Sequence, residues 1–221
     1  TLGIITEVQL RLHGRPDSVS AAICQFKNLH DAIQTAMEII QCGIPITRVE
    51  LMDSVQMAAS IQYSGLTEYQ PLTTLFFEFT GSPVAVREQV ETTEAIASGN
   101  NGLGFAWAES PEERTRLWKA RHDAYWAAKA IVPGARVIST DCIVPISRLG
   151  ELIEGVHSDI EASGLRAPLL GHVGDGNFHT LIITDDTAEG HQLALDLDRK
   201  IVARALSLSG SCSGEHGVGL S

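Results

Sequence analysis

Residues 168–184 read Pro-Leu-Leu-Gly-His-Val-Gly-Asp-Gly-Asn-Phe-His-Thr-Leu-Ile-Ile-Thr, two short β-prone runs, Pro168–His172 and Phe178–Thr184, on either side of a glycine-rich link. The connection Gly174-Asp175-Gly176-Asn177 is short enough to join antiparallel strands, whereas a parallel pair needs a crossover of about a dozen residues or more. Strands and helices alternate along the rest of the chain, so this link decides the class. It favours α+β, an antiparallel sheet with helices packed on one face, over a doubly wound parallel sheet.

Working outward, Ser147 caps a helix to Ser163 upstream of the link and a helix near Ala188–Leu208 follows it. Val137–Val144 reads as a strand. Ser110-Pro111-Glu112-Glu113 supplies an N-cap, a first-turn proline and an acidic first turn for a helix through about Ala128. Pro71–Thr80 and Phe105–Ala108 read as strands around a helix, Val84–Ala97, opened by Ser82-Pro83. Ile46–Leu51 is extended and Asp53 caps a short helix to Gln62. Ser20–Phe26 is a strand and Leu29–Gln41 a helix stopped by Gly43. At the start, Thr1–Leu12 alternates apolar residues with Thr6, Glu7, Gln9 and Arg11, the pattern of a half-buried strand, until His13-Gly14-Arg15-Pro16 breaks it.

The chain has 221 residues, 44% of them hydrophobic, enough for one large domain with a sizeable core. Its net charge of −11 argues against a nucleic-acid backbone or an anionic membrane surface as partner. No apolar run approaches the roughly 20 residues of a membrane helix, so a soluble protein is expected. Cys24, Cys42, Cys142 and Cys212 form no CxxC pair, which points to a reducing compartment and neither a zinc ribbon nor a disulfide framework. The chain opens at Thr1 without Met or a leader pattern, as a processed protein or a fragment would.

Polar chemistry concentrates after residue 170, in Gly171-His172-Val173-Gly174-Asp175-Gly176-Asn177-Phe178-His179 and Gly214-Glu215-His216-Gly217-Val218-Gly219. His172 and His179 would face opposite sides of a single strand, but a tight glycine turn brings both to one mouth of the sheet. With Glu215 they make two neutral imidazoles and a carboxylate, a three-ligand set with open positions suited to a catalytic divalent ion. His216 points elsewhere and suits a general base. Gly174-Asp175-Gly176 lacks the Lys and Ser/Thr of a P-loop, and there is no HExxH helix or nucleophile elbow of a hydrolase. Trp118 and Trp126, eight apart, read as core packing, in preference to a flavin lining shared with Trp107.

At these residues the sequence resembles the FAD-linked D-2-hydroxy-acid dehydrogenases of the vanillyl-alcohol-oxidase flavoprotein superfamily. Gly-His-x-Gly-Asp-Gly-Asn-x-His stands at 171–179 and Gly-Glu-His-Gly-Val-Gly at 214–219. Thr1-Leu2-Gly3-Ile4-Ile5-Thr6-Glu7 resembles the last strand of that family's flavin domain. Leu117-Trp118-Lys119-Ala120-Arg121-His122 and Ser139-Thr140-Asp141-Cys142-Ile143-Val144-Pro145 resemble its substrate-domain segments.

The resemblance implies a ferredoxin-like FAD-linked oxidase C-terminal domain over 14–221, after a last flavin-domain strand at 1–13. It implies zinc or manganese on His172, His179 and Glu215, proton removal by His216 and a substrate carboxylate on Arg121. Asn177 would contact flavin or substrate, and the backbone around Leu2, Gly3 and Ile5 would line FAD. Lys129 and Arg136 read as solvated surface more than as a second anion contact. Leu181 stands where the 2-hydroxyglutarate enzymes carry Asn, which favours a small monocarboxylate such as D-lactate over a dicarboxylate. Glycolate, 2-hydroxyglutarate, or a catalytically silent metal-binding cap are the alternatives.

The main FAD site would lie outside this chain, which would also stop before the family's final helix and be inactive alone. A quinone, a cytochrome or an electron-transfer flavoprotein would take the electrons, in the cytoplasm or at the respiratory membrane, mitochondrial in a eukaryote. A homodimer is compatible with the family.

Overall fold

A computed structural model of the chain describes residues 3–12, 14–108 and 110–217. In order it forms β1 (Ser18–Phe26), α1 (Leu29–Gln41), β2 (Arg48–Met52), α2 (Ser54–Ser64), β3 (Thr73–Gly81), α3 (Pro83–Gly99), β4 (Leu103–Ala108), α4 (Pro111–His122) and α5 (Ala124–Ala130). There follow β5 (Arg136–Ser139), β6 (Cys142–Ile143), α6 (Leu149–Ser163), β7 (Leu169–Gly171), β8 (Asn177–Thr184) and α7 (Ala188–Ser207). The strands make one sheet in the order β4-β1-β3-β2-β7-β8-β5, with β6 beside β8, and each pairing is antiparallel. The α+β antiparallel class read from the 174–177 link therefore holds.

Period-2 alternation sorts the strand residues between two cores. Ala22, Cys24 and Phe26 of β1, Leu75, Phe77 and Phe79 of β3, and Val49 and Leu51 of β2 pack under α1, α3, α6 and α7. Ala21, Ile23, Met52 and Phe76 face the other way, onto Met57 of α2, Leu117 and Trp118 of α4, and Ala124 and Ala128 of α5. The helical layer expected from the sequence is thus accompanied by a smaller one on the opposite face. Each large side chain so buried contributes roughly 1.5–3 kcal/mol.

Caps read from the sequence hold their helices. Asp53 accepts from the Gln56 N–H and Ser110 from the Glu113 N–H in a full capping box. The helix expected from Pro111 to Ala128 is two, α4 and α5, divided at Asp123, whose carboxylate binds Ser64 Oγ and Lys119 Nζ. That division separates the two tryptophans. Trp118 packs beside Phe76 with ring centroids 6.0 Å apart, while Trp126 is mostly exposed, so the shared core role expected for them is corrected. The expected strand Val137–Val144 is interrupted at Thr140-Asp141, though both halves pair with β8 in one register.

Residues 3–12 form no strand. Ile4, Ile5, Val8, Leu10 and Leu12 are exposed, because no described strand of this chain lies beside them to complete a ladder. The half-buried strand expected there is corrected accordingly, and Thr1, Leu2 and His13 lie outside the described residues.

Candidate metal and substrate site

β2 is paired on both edges, and its register with β7, Leu51 opposite Gly171 and Met52 opposite Leu170, continues to set His172 beside Glu50. The turn to β8 needs close backbone approach: a Cβ on Gly171 would lie 2.4 Å from the Phe178 Cα, and Gly176 turns the chain at φ +79°. Leu170 then pairs with His179. Both imidazoles so reach the mouth of the sheet as the sequence reading expects.

The third group arrives from the far end of the chain. After α7 the backbone returns to β6 through the Ile143–Ser211 pair, with hydrogen bonds of 3.1 and 2.8 Å. Asp141 Oδ2 accepts the backbone N–H groups of Glu215 and His216, both at 2.8 Å. Glu215 Oε1 then stands 3.2 Å from Nε2 of His172, 3.2 Å from Nε2 of His179 and 3.4 Å from Nε2 of His216. His216 therefore faces the same cluster, and the expectation that it points elsewhere is corrected: Asp141 gathers the backbone N–H groups of Glu215 and His216 at one point. Donor atoms of His172, His179 and Glu215 all lie within 4.8 Å of one another.

The outer partners decide which ring nitrogen carries the proton. His172 Nδ1 meets the Glu50 carboxylate at 2.6 Å, and His179 Nδ1 meets the Thr140 carbonyl at 3.2 Å. Both partners only accept, so Nδ1 donates in each ring and each Nε2 turns its lone pair inward. With the rings neutral, two lone pairs and a carboxylate face one point, an arrangement a divalent cation would satisfy. The donor set suits a divalent ion such as zinc or manganese, and its exposed carboxylate side leaves room for another ligand.

The same contacts set the ionisation of the site. The Glu50 hydrogen bond holds His172 above its ordinary pKa against the opposing effect of burial. Burial pushes His179 down, more than the nearby Asp141 pulls it up. Burial also pushes on Asp141, but the N–H groups of His216 and Glu215 and the Asn177 amide prevail and hold it below the usual carboxylate range.

Arg121 comes from the last turn of α4, and its Nε donates to Glu50 Oε2 at 3.0 Å, so it joins the cluster through Glu50. Asn177 is buried. Its amide donates to Asp141 Oδ1 at 2.9 Å and to the Cys142 carbonyl at 3.0 Å, an internal brace. Gly3 and Ile5 lie in the exposed 3–12 stretch, and Leu2 outside the described residues. Lys129 lies over the Trp126 ring and Arg136 pairs with Asp186, as surface residues do. Among the described residues no helix is long and apolar enough to cross a membrane.

Sequence reasoning missed Glu50 and the part played by Asp141. A signal for Glu50 existed: within the extended run Ile46–Leu51 it is the acidic residue between apolar Val49 and Leu51. Asp141 had only its place in the 139–145 segment, because the backbone N–H groups it holds lie some seventy residues away.

Comparison with known proteins places the chain in a family. The chain is 46% identical to a probable mitochondrial D-lactate dehydrogenase of Danio rerio, over 100% of this chain and 44% of that protein. It is 43% identical to the mitochondrial D-lactate dehydrogenase [cytochrome] of Arabidopsis thaliana, over 99% of this chain and 39% of that one. The glycolate oxidase subunit GlcD of Escherichia coli K12 is 29% identical over 99% of this chain and 44% of its own length. The chain thus spans less than half the length of these relatives. Among solved structures, 4-ethylphenol oxidase of Gulosibacter chungangensis superposes with a TM-score of 0.66 at 13% identity, over 91% of this chain and 46% of that one, and shares the fold. Residues 15–221 match the family described as FAD linked oxidases, C-terminal domain, and the chain belongs to that family.

Proposed function

We propose that this chain is the substrate-binding part of a flavin-dependent dehydrogenase that oxidises a small D-2-hydroxy acid, D-lactate above others, to the 2-oxo acid. The observation that carries the reading is the convergence of two imidazole lone pairs and the Glu215 carboxylate on one point. The names of the relatives support the substrate class; that of the Arabidopsis protein, D-lactate dehydrogenase [cytochrome], supports a cytochrome as electron acceptor, and both D-lactate dehydrogenase names support a mitochondrial setting.

When bound, the divalent ion supplies positive charge that acidifies a hydroxyl, and the flavin supplies the two-electron oxidising chemistry. His172, His179 and Glu215 are the ligands. His216 Nε2, on the same side as Glu215 Oε1, takes the proton of the substrate α-hydroxyl. Arg121 keeps its Nη edge for the substrate carboxylate while Nε is held by Glu50. Leu181, buried on the same side of β8 as His179, offers no polar group to a second carboxylate, consistent with a monocarboxylate. Residues 3–12, with apolar side chains and backbone outside any ladder, are the candidate FAD-facing edge, together with Leu2. The electron pair leaves with the Cα hydrogen and the proton leaves through His216.

Metal analysis of the purified protein with a flavin absorbance scan tests this, repeated on His172→Ala. One zinc or manganese ion per chain, lost in the variant, supports the reading. A chain that takes up neither ion at saturating concentration overturns it.

A further inference from the structure

We propose that Glu50 is a positioning residue serving two parts of the site at once: Oε1 fixes the metal ligand His172 and Oε2 fixes Arg121, setting the spacing between the ion and the guanidinium that receives the substrate carboxylate. This rests on the metal and carboxylate roles proposed above.

Glu50 is 5% exposed, and β2 holds its backbone from both sides through β3 and β7. Burying a carboxylate on a strand is costly unless both oxygens are matched, and replacing a buried ion pair as a whole with apolar residues is often neutral. Here neither oxygen is spent on the fold. Oε1 meets His172 Nδ1 at 2.6 Å and Oε2 meets Arg121 Nε at 3.0 Å, so among the described residues both side-chain hydrogen bonds of Glu50 lead to groups of the proposed site.

The two contacts act differently. A carboxylate on Nδ1–H orients the ring and makes Nε2 a more basic ligand. On the other side, engaging only Nε leaves the Nη1 and Nη2 edge of Arg121 without a hydrogen bond among the described residues, and that edge can take a carboxylate end-on through two N–H groups. Since one rigid carboxyl plane carries both contacts, His172 and Arg121 cannot move independently.

The test uses Glu50→Gln and Glu50→Ala in the complete flavin-loaded protein. Zinc affinity is measured by chelator competition, the ligand field by electron paramagnetic resonance of the cobalt-loaded form, and kcat and KM with D-lactate. Glu50→Ala is expected to lower zinc affinity roughly 10–100-fold and to change the cobalt signal. In Glu50→Gln the amide oxygen can still accept from His172, while the amide nitrogen cannot accept from Arg121. Zinc affinity should then recover in part while KM stays about 10-fold or more above wild type.

Wild-type affinity, cobalt signal and KM in a folded Glu50→Gln protein would overturn the assignment even if Glu50→Ala fails to fold. A wild-type protein that binds no zinc or cobalt would instead overturn the metal reading, and this inference with it.

Discussion

Asp141 holds Glu215 by its backbone: the Glu215 N–H donates to Asp141 Oδ2 at 2.8 Å, and the next N–H, of His216, donates to the same oxygen. One carboxylate therefore fixes both the proposed ligand and the proposed base. Replacing Asp141 by Ala is expected to weaken zinc binding about 10–100-fold, as loss of an outer partner does, and Asp141→Asn to do so less. Equal affinities in all three proteins by chelator competition would show that the segment is held by other means.

Gly214 sits inside this arrangement, where a Cβ would lie 2.1 Å from Asn177 Nδ2 and 2.8 Å from Asp141 Oδ1. Gly214→Ala must push apart the brace that carries Glu215. Zinc affinity is expected to fall by at least about 10-fold while the thermal midpoint, set by cores remote from this loop, moves little. Unchanged affinity would mean the segment has slack.

His216 is exposed, and its Nε2 stands 3.4 Å from Glu215 Oε1 without being needed to complete the three-donor set. In the complete flavin-loaded protein His216→Ala should lower kcat by about 10²–10⁴ and leave metal content unchanged. Retained turnover would remove it as the base.

Asp53 offers a stability test away from the site. It caps α2 from a fully buried position, and burial lifts its carboxyl from 3.8 to about 7. The folded chain then binds a proton that the unfolded chain has released between these values, so the group's contribution to stability is lost progressively as pH rises from about 4 to about 7. Asn keeps the cap without the charge. Asp53→Asn should therefore raise the unfolding free energy at pH 8 by on the order of 4 kcal/mol at most, with a higher unfolding midpoint, and change both little at pH 4. Equal midpoint shifts at both pH values would refute a charge effect.

What could be read without coordinates was what local chemistry controls. Alternation and caps placed α1 over Leu29–Gln41 and located β3 and α3 within a few residues. The histidine pair, Glu215 and His216 were legible because glycines surround them and their types are rare in combination. The residues that hold them were not. Glu50 acts through strand register, and Asp141 through a break in a strand whose two halves look continuous in sequence. Residues 3–12 misled for the converse reason: alternation reports a face that could be covered, and does not supply a neighbouring strand to cover it.

The return of the chain through the Ile143–Ser211 pair also sets an order of loss. Both imidazoles are carried by β7, β8 and their turn, deep in the sheet, whereas among the described residues the segment carrying Glu215 is tied by one isolated bridge and by Asp141. Opening there costs far less than unfolding the sheet. A molecule frayed at this clasp keeps its native core and both histidines yet lacks its carboxylate donor, so activity can decay well before any global unfolding is seen, and an ion held by Glu215 would act as the pin that keeps the clasp shut.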